Sequence, residues 1–272
     1  MISWQYALLL IGASALAGAI NSVAGGGTLL TFPAILATGQ LSTIANATNT
    51  VALWPGQLSS LWGYKSEIQH NARSIIPLSV IGLVGGICGA LLLINTPAAI
   101  FDQIVPFLVL SATLIFMAQE PLSRWQKARA ETIASKETDL PPSATYAAPD
   151  DRLRLTLPIV LFLLGIAVYG GYFGAGIGIL TLAAFGLMGM TNIHQMNGVK
   201  AIFTLGINGI AALLFILKGL VDWKIAALMT LGSIFGGYAG AGIARRIGQK
   251  NVRRIVIGIG FTLTLTLLLR HL

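Results

Sequence analysis

The chain has 272 residues, 55% of them hydrophobic and only 10% charged, with a net charge of +8 and a mean hydropathy of +0.81. A soluble domain carries about 25% charged residues, so this composition leaves too little polar surface to face water on all sides. The basic residues sit in loops and form no aromatic-studded stripe, which argues against a nucleic-acid partner, and the single cysteine, Cys88, has no partner for a disulfide or a metal site.

A helix needs about 20 apolar residues to cross a hydrocarbon core about 30 Å thick. Apolar runs predict membrane segments over residues 4–23, 27–38, 43–63, 74–94 and 98–118. A polar stretch over 119–152, rich in Glu, Lys, Ser, Pro and Asp, reads as a flexible linker. Further segments follow over 153–173, 177–189, 193–217, 222–244 and 252–270. The N-terminus lacks a basic region, so it reads as a first membrane segment and not as a cleaved signal.

The two halves resemble each other. A shift of 151 residues places Asn46 on Asn197, Asn49 on Lys200 and Gln57 on Asn208. The same shift places Gly85-Gly86-Ile-Cys-Gly89 on Gly236-Gly237-Tyr-Ala-Gly240, and with one gap Thr28-Leu-Leu-Thr31 falls on Gly178-Ile-Leu-Thr181. The expected organisation is therefore a first transmembrane repeat over 1–118, a cytoplasmic linker over 119–152 and a second transmembrane repeat over 153–272.

As one helix, residues 4–38 would be roughly 50 Å long. Ala24-Gly25-Gly26-Gly27 interrupts the run, and Gly170-Gly171-Tyr-Phe-Gly174-Ala-Gly176-Ile-Gly178 stands at the matching place in the second half. Glycine is a poor helix former, so the chain should break at both. With five segments per half, Lys65, Arg73, the basic residues of the linker and the Arg245–Arg254 cluster share one side. Lys218, Lys224 and Arg270 lie opposite. The positive-inside rule favours this count, and an odd number per repeat inverts the second half. A full crossing and a re-entrant hairpin both satisfy the tally. The expected fold is thus an all-α integral membrane protein of 8–10 segments in two inverted repeats.

Backbone leaves its helix inside a bilayer only where it is buried in protein or lines a cavity. Paired breaks therefore mark a central site, with the starts of the helices near Thr28 and Gly178 offering free N–H groups and the positive end of each helix dipole. Asn197, Lys200, Thr204 and Asn208 share one helix face, answered in the first half by Asn46, Asn49 and Gln57, with Leu53 as the apolar exception. Lys200 lies roughly 12 Å along its segment and has no acidic residue at similar depth, which makes a substrate anion its natural partner. The candidate binding residues are Asn21, Gly25, Gly26, Gly27, Thr28, Asn46, Asn49, Gln57, Gly174, Gly176, Gly178, Asn197, Lys200, Thr204 and Asn208.

Gly18-Ala-Ile-Asn21-Ser-Val-Ala-Gly25-Gly26-Gly27-Thr28-Leu-Leu-Thr-Phe-Pro33, followed by Asn46-Ala-Thr-Asn49-Thr, resembles the N-terminal signature of the TauE/SafE sulfite-exporter family. The second Gly-rich copy and Gly236-Gly237-Tyr-Ala-Gly240 look like its C-terminal repeat. The resemblance spans nearly the whole chain except the linker. It implies about eight spanning helices, a bacterial plasma (inner) membrane, and transport of sulfite or an organosulfur anion such as a sulfonate or sulfoacetate. The function expected is a secondary transporter that exports this anion by alternating access; the alternative is an anion channel. No Ser/His/Asp set, metal-ligand cluster or paired membrane carboxylates stand out, so an enzyme is not expected, nor a cofactor or metal. The expected partners are the anion and the lipid bilayer, with a homodimer left open.

Overall fold

The apolar runs fold as helices, and no strand forms among the residues that the computed structural model describes: 3–23, 25–61, 72–138, 155–190, 192–247 and 249–271. In chain order the first half gives α1 (Trp4–Val23), α2 (Thr28–Leu36), α3 (Ser42–Leu61), α4 (Ala72–Asn95) and α5 (Ala98–Thr138). The second half gives α6 (Leu157–Tyr172), α7 (Ile177–Leu187), α8 (Ile193–Leu217), α9 (Trp223–Ile247) and α10 (Gln249–His271). Four helices among the described residues, α1, α4, α5 and α8, are long and apolar enough to cross a membrane. The protein is an all-α membrane protein.

In each half the second helix is the shortest of the five. The second element is short in both, 9 residues in α2 and 11 in α7. At 1.5 Å per residue these helices are about 14 and 16 Å long, too short to cross a bilayer. The chain therefore breaks at both Gly-rich stretches, and neither following helix is a full crossing.

Helix α5 departs from expectation. It runs for 41 residues, about 60 Å, and carries the first part of the polar stretch, up to Thr138, as helix. The reason is composition: Trp125-Gln-Lys-Ala-Arg-Ala-Glu is rich in Ala, Lys, Glu and Arg, all strong helix formers, and Arg124 donates to Glu120 one turn back on the exposed surface. Residues 139–152 of the expected linker, and Lys65 among the loop bases, lie outside the described residues.

Packing follows a rule of exchange. Helix α1 packs along α9, and α6 along α4; α3 packs along α9, and α8 along α4. Helices α3 and α8 meet each other, as do α5 and α10, while α2 touches α10 and α7 touches α5. Each of these contacts maps onto another, or onto itself, when the helices of one half replace those of the other. The fourth helix of each half thus lies against the first and third helices of the opposite half.

Small residues make these approaches close. A methyl group on Gly85 of α4 would strike the Ala167 side chain of α6, and one on Gly89 the Val168 carbonyl. In the mirror contact, a methyl on Gly236 of α9 would strike the Ala15 carbonyl of α1, and one on Gly18 would lie 2.5 Å from the Ser233 carbonyl. Packing of this kind holds helices together where lipid removes the hydrophobic driving force between them. The buried apolar side chains form one cluster that runs through most of the helices and a second built from α4, α6, α7 and α8.

Candidate functional site

The first break is built by α1, which ends at Val23, and by Gly25 and Gly26, whose φ values of +85° and +103° only glycine adopts without strain. Asn21, in the last turn of α1, reaches across the gap and accepts a 2.8 Å hydrogen bond from the N–H of Gly27. In the second break, Gly174 and Gly176 adopt φ values of +77° and +78°, and the Tyr169 hydroxyl donates to the carbonyl of Ala175 at 2.7 Å. Equivalent threonines then stiffen the two short helices: Thr31 Oγ1 donates to the Gly27 carbonyl and Thr181 Oγ1 to the Ile177 carbonyl. The first-turn N–H groups of Thr28 and Gly178 find no backbone acceptor among the described residues.

The two breaks meet. A methyl group on Gly25 would stand 3.2 Å from Cα of Gly178, so the start of α7 rests on the turn that precedes α2. Both N-terminal helix ends, each equivalent to about half a positive charge, face the same space.

Helices α3 and α8 close that space. They touch at positions 151 residues apart: Asn208 Nδ2 donates to Gln57 Oε1 at 3.1 Å, and Trp54 Nε1 donates to the Leu205 carbonyl at 3.2 Å. Lys200 is 5% exposed. Its ammonium donates to Asn197 Oδ1 at 2.9 Å, a neutral acceptor, and no carboxylate lies within ion-pair reach of it among the described residues. Thr204, one turn on, donates to the Lys200 carbonyl at 2.9 Å.

Together these elements enclose a cavity of about 60 Å³. Of the residues expected from the sequence, Asn21, Gly25, Gly26, Thr28, Asn49, Gln57, Gly174, Gly178, Lys200, Thr204 and Asn208 line it. The wall does not include Gly27, Asn46, Gly176 or Asn197. Gly27 is pressed against α1, where a methyl would lie 2.6 Å from the Ala17 carbonyl, and Gly176 faces Ile115 of α5. Asn46 turns to the end of α6 and donates to the Tyr172 carbonyl at 2.9 Å, and Asn197 holds Lys200.

Five lining residues were not among the candidates: Thr50, Phe173, Ile177, Ala201 and Leu53, the last already placed on the same helix face as the apolar exception. Thr50 and Ala201 are again 151 residues apart, so the repeat could have found them. Phe173 gave no such signal: it caps α6, with its ring edge-on to Phe32 of α2 at 5.4 Å. The cavity offers N–H groups, amides, threonine hydroxyls and one ammonium, with no carboxylate in its wall among the described residues. Such a wall favours a small anion.

Comparison with known proteins agrees with this architecture. The family model described as "Sulfite exporter TauE/SafE" matches residues 10–267. A "Probable membrane transporter protein" of Haemophilus influenzae is 28% identical over 250 residues, covering 90% of this chain and 88% of the relative. The "Probable membrane transporter protein YfcA" of Escherichia coli K12 is 29% identical over 262 residues, covering 93% and 86%. The "Probable membrane transporter protein ORF9" of a Sinorhizobium species is 27% identical over 266 residues, covering 94% and 90%. No solved structure matches the chain. With a family model spanning nearly its whole length and the paired breaks in place, the chain is a membrane transporter that belongs to the TauE/SafE sulfite exporter family.

Proposed function

We propose that this protein is a secondary transporter that carries sulfite or an organosulfur anion across the plasma membrane by alternating access, in the export direction. The observation that carries this reading is Lys200: a buried ammonium answered, among the described residues, only by an amide oxygen, beside a cavity onto which two helix starts converge. A buried charge without a counter-charge is costly, and a bound anion offsets that cost. The exchange-symmetric packing supports two inverted halves that rock about the cavity. The cavity is small, about 60 Å³, which favours the compact anion sulfite over a sulfonate with a carbon chain.

Export follows from charge. A cell interior is negative, and one elementary charge moved through 100 mV is worth about 2.3 kcal/mol, so an anion moving alone is driven outward. The test is a binding screen of sulfite, thiosulfate, sulfoacetate and sulfate on the purified protein, followed by counterflow of the labelled binder in liposomes. Sulfite should bind tightest, and unlabelled anion inside should accelerate uptake of label. Binding by none of the four would overturn the substrate reading. Flux without counterflow would make the protein a channel.

A further inference from the structure

The two stripes that face the cavity are equivalent in sequence but not in chemistry. Asn46 and Asn49 of α3 occupy the places of Asn197 and Lys200 of α8. In α8 the pair is complete, because the Lys200 ammonium donates to Asn197 Oδ1 at 2.9 Å. In α3 an asparagine stands where the lysine would be, and the acceptor it would have satisfied has nothing to accept. Asn46 and Asn49 are 1% and 2% exposed, and the Oδ1 of each meets no hydrogen-bond donor among the described residues. Both lie on one face of α3, one turn apart. Buried acceptors left in this condition cost about 1–3 kcal/mol each.

Their surroundings are rich in negative potential. Asn46 Nδ2 is committed to the Tyr172 carbonyl, which fixes its Oδ1 as the unanswered atom. Tyr172 ends α6, so the negative end of that helix dipole lies beside Asn46, and its carbonyl keeps a second lone pair. A third buried acceptor without a donor, Asp102 Oδ1, belongs to the residue after Phe101, whose ring stands 5.6 Å from that of Tyr172. Asn46 thus holds its unanswered oxygen beside the end of α6, with that of Asn49 one turn further along the same helix. Each is a hard oxygen donor, the class that binds alkali-metal ions at broken helices.

We propose that the protein binds one alkali-metal cation, sodium or potassium, through Asn46 Oδ1 and Asn49 Oδ1 at the end of α6, in the place equivalent to that of the Lys200 ammonium. The cation does in the first half what the lysine does in the second. Because Asn49 also lines the anion cavity, cation and anion bind as neighbours and each strengthens the other. Carriage of the cation rests on the transporter reading, whereas its binding does not. When the cation travels with the anion, a potassium gradient adds to the outward drive and a sodium gradient opposes it.

The experiment is a titration of the purified protein with sodium, potassium and choline chloride at constant ionic strength, with thermal unfolding followed by tryptophan fluorescence. The midpoint should rise saturably with one alkali cation and not with choline. Asn46→Asp keeps the shape and adds a charge, and should lower the half-saturating concentration about tenfold. Asn49→Lys places an ammonium where the cation would sit, and should abolish the response. Superimposed curves in all three salts, or a wild-type response in Asn49→Lys, would overturn the proposal. If a variant does not fold, the wild-type titration decides the site and wild-type anion flux in liposomes decides carriage: full flux in choline overturns carriage of the cation and leaves transport intact. No flux in any salt overturns the transport reading, and the wild-type titration then decides the cation site alone.

Discussion

Lys200 and Asn49 hold equivalent places with unequal chemistry, and the difference makes the proposed anion site one-sided. Replacing Lys200 by Gln keeps a side chain that can donate to Asn197 but removes the charge. Anion affinity should fall about tenfold or more, an energy of about 1.4 kcal/mol, whereas Lys218→Gln, in the turn after α8, should change it less than about twofold. Titration of the anion on both purified variants checks this, and equal small effects would remove Lys200 from the site. Much at this scale was legible in the sequence, because a polar stripe on an apolar helix has few uses. Direction was harder. Asn46 and Asn197 belong to the same stripes as Asn49 and Lys200, yet they turn to the Tyr172 carbonyl and to Lys200. Helical spacing tells which side of a helix a residue occupies and not which neighbour its amide meets. Phe173 was illegible for a related reason: it reaches the cavity through the unwound end of α6, where helical periodicity no longer applies.

At the scale of elements, the breaks and the packed helix pairs both depend on glycine, but for different reasons. Gly25 needs a positive φ and has Gly178 beneath it, so Gly25→Ala strains the turn and pushes the two short helices apart. Its transport rate should drop more than about tenfold, the equivalent of about 1.4 kcal/mol, with protein still present in the membrane. Gly12→Ala, whose methyl would meet nothing within 4 Å, should transport normally; a similar loss in both would mean that the break does not matter. Gly236 instead leaves room for the backbone of α1. Gly236→Ala should destabilise the protein by about 1–3 kcal/mol, as overpacking does, read as a lower thermal midpoint than in Gly258→Ala, where a methyl again meets nothing. Glycine patterns announced the breaks, whereas those of α4 and α9 showed in the sequence only as a repeat, because spacing on one helix does not name the helix it fits. The continuation of α5 to Thr138 was missed because its charges speak of exposure to water, and an exposed segment can still be a good helix former.

On the scale of the whole molecule, the basic residues predict orientation. In a Cys88→Ala background, Ala128→Cys on the exposed end of α5 should react with an impermeant thiol reagent only from the cytoplasmic side, and Lys218→Cys only from outside. Labelling of Ala128→Cys in intact cells would invert the topology. The exchange of fourth helices between halves also bears on how the protein is made. Helix α4 emerges from the ribosome long before α6, and between them come α5 and the residues that follow it. At about 5–20 residues per second, the glycine face of α4 waits on the order of seconds before the helix it fits exists. The first half cannot finish folding on its own, since α1 lacks α9 just as α4 lacks α6. A nascent chain arrested before α6 would therefore display two unmatched small-residue faces to the bilayer, a signal that membrane quality control can read. For the same reason a single repeat would have needed a second copy to bury those faces.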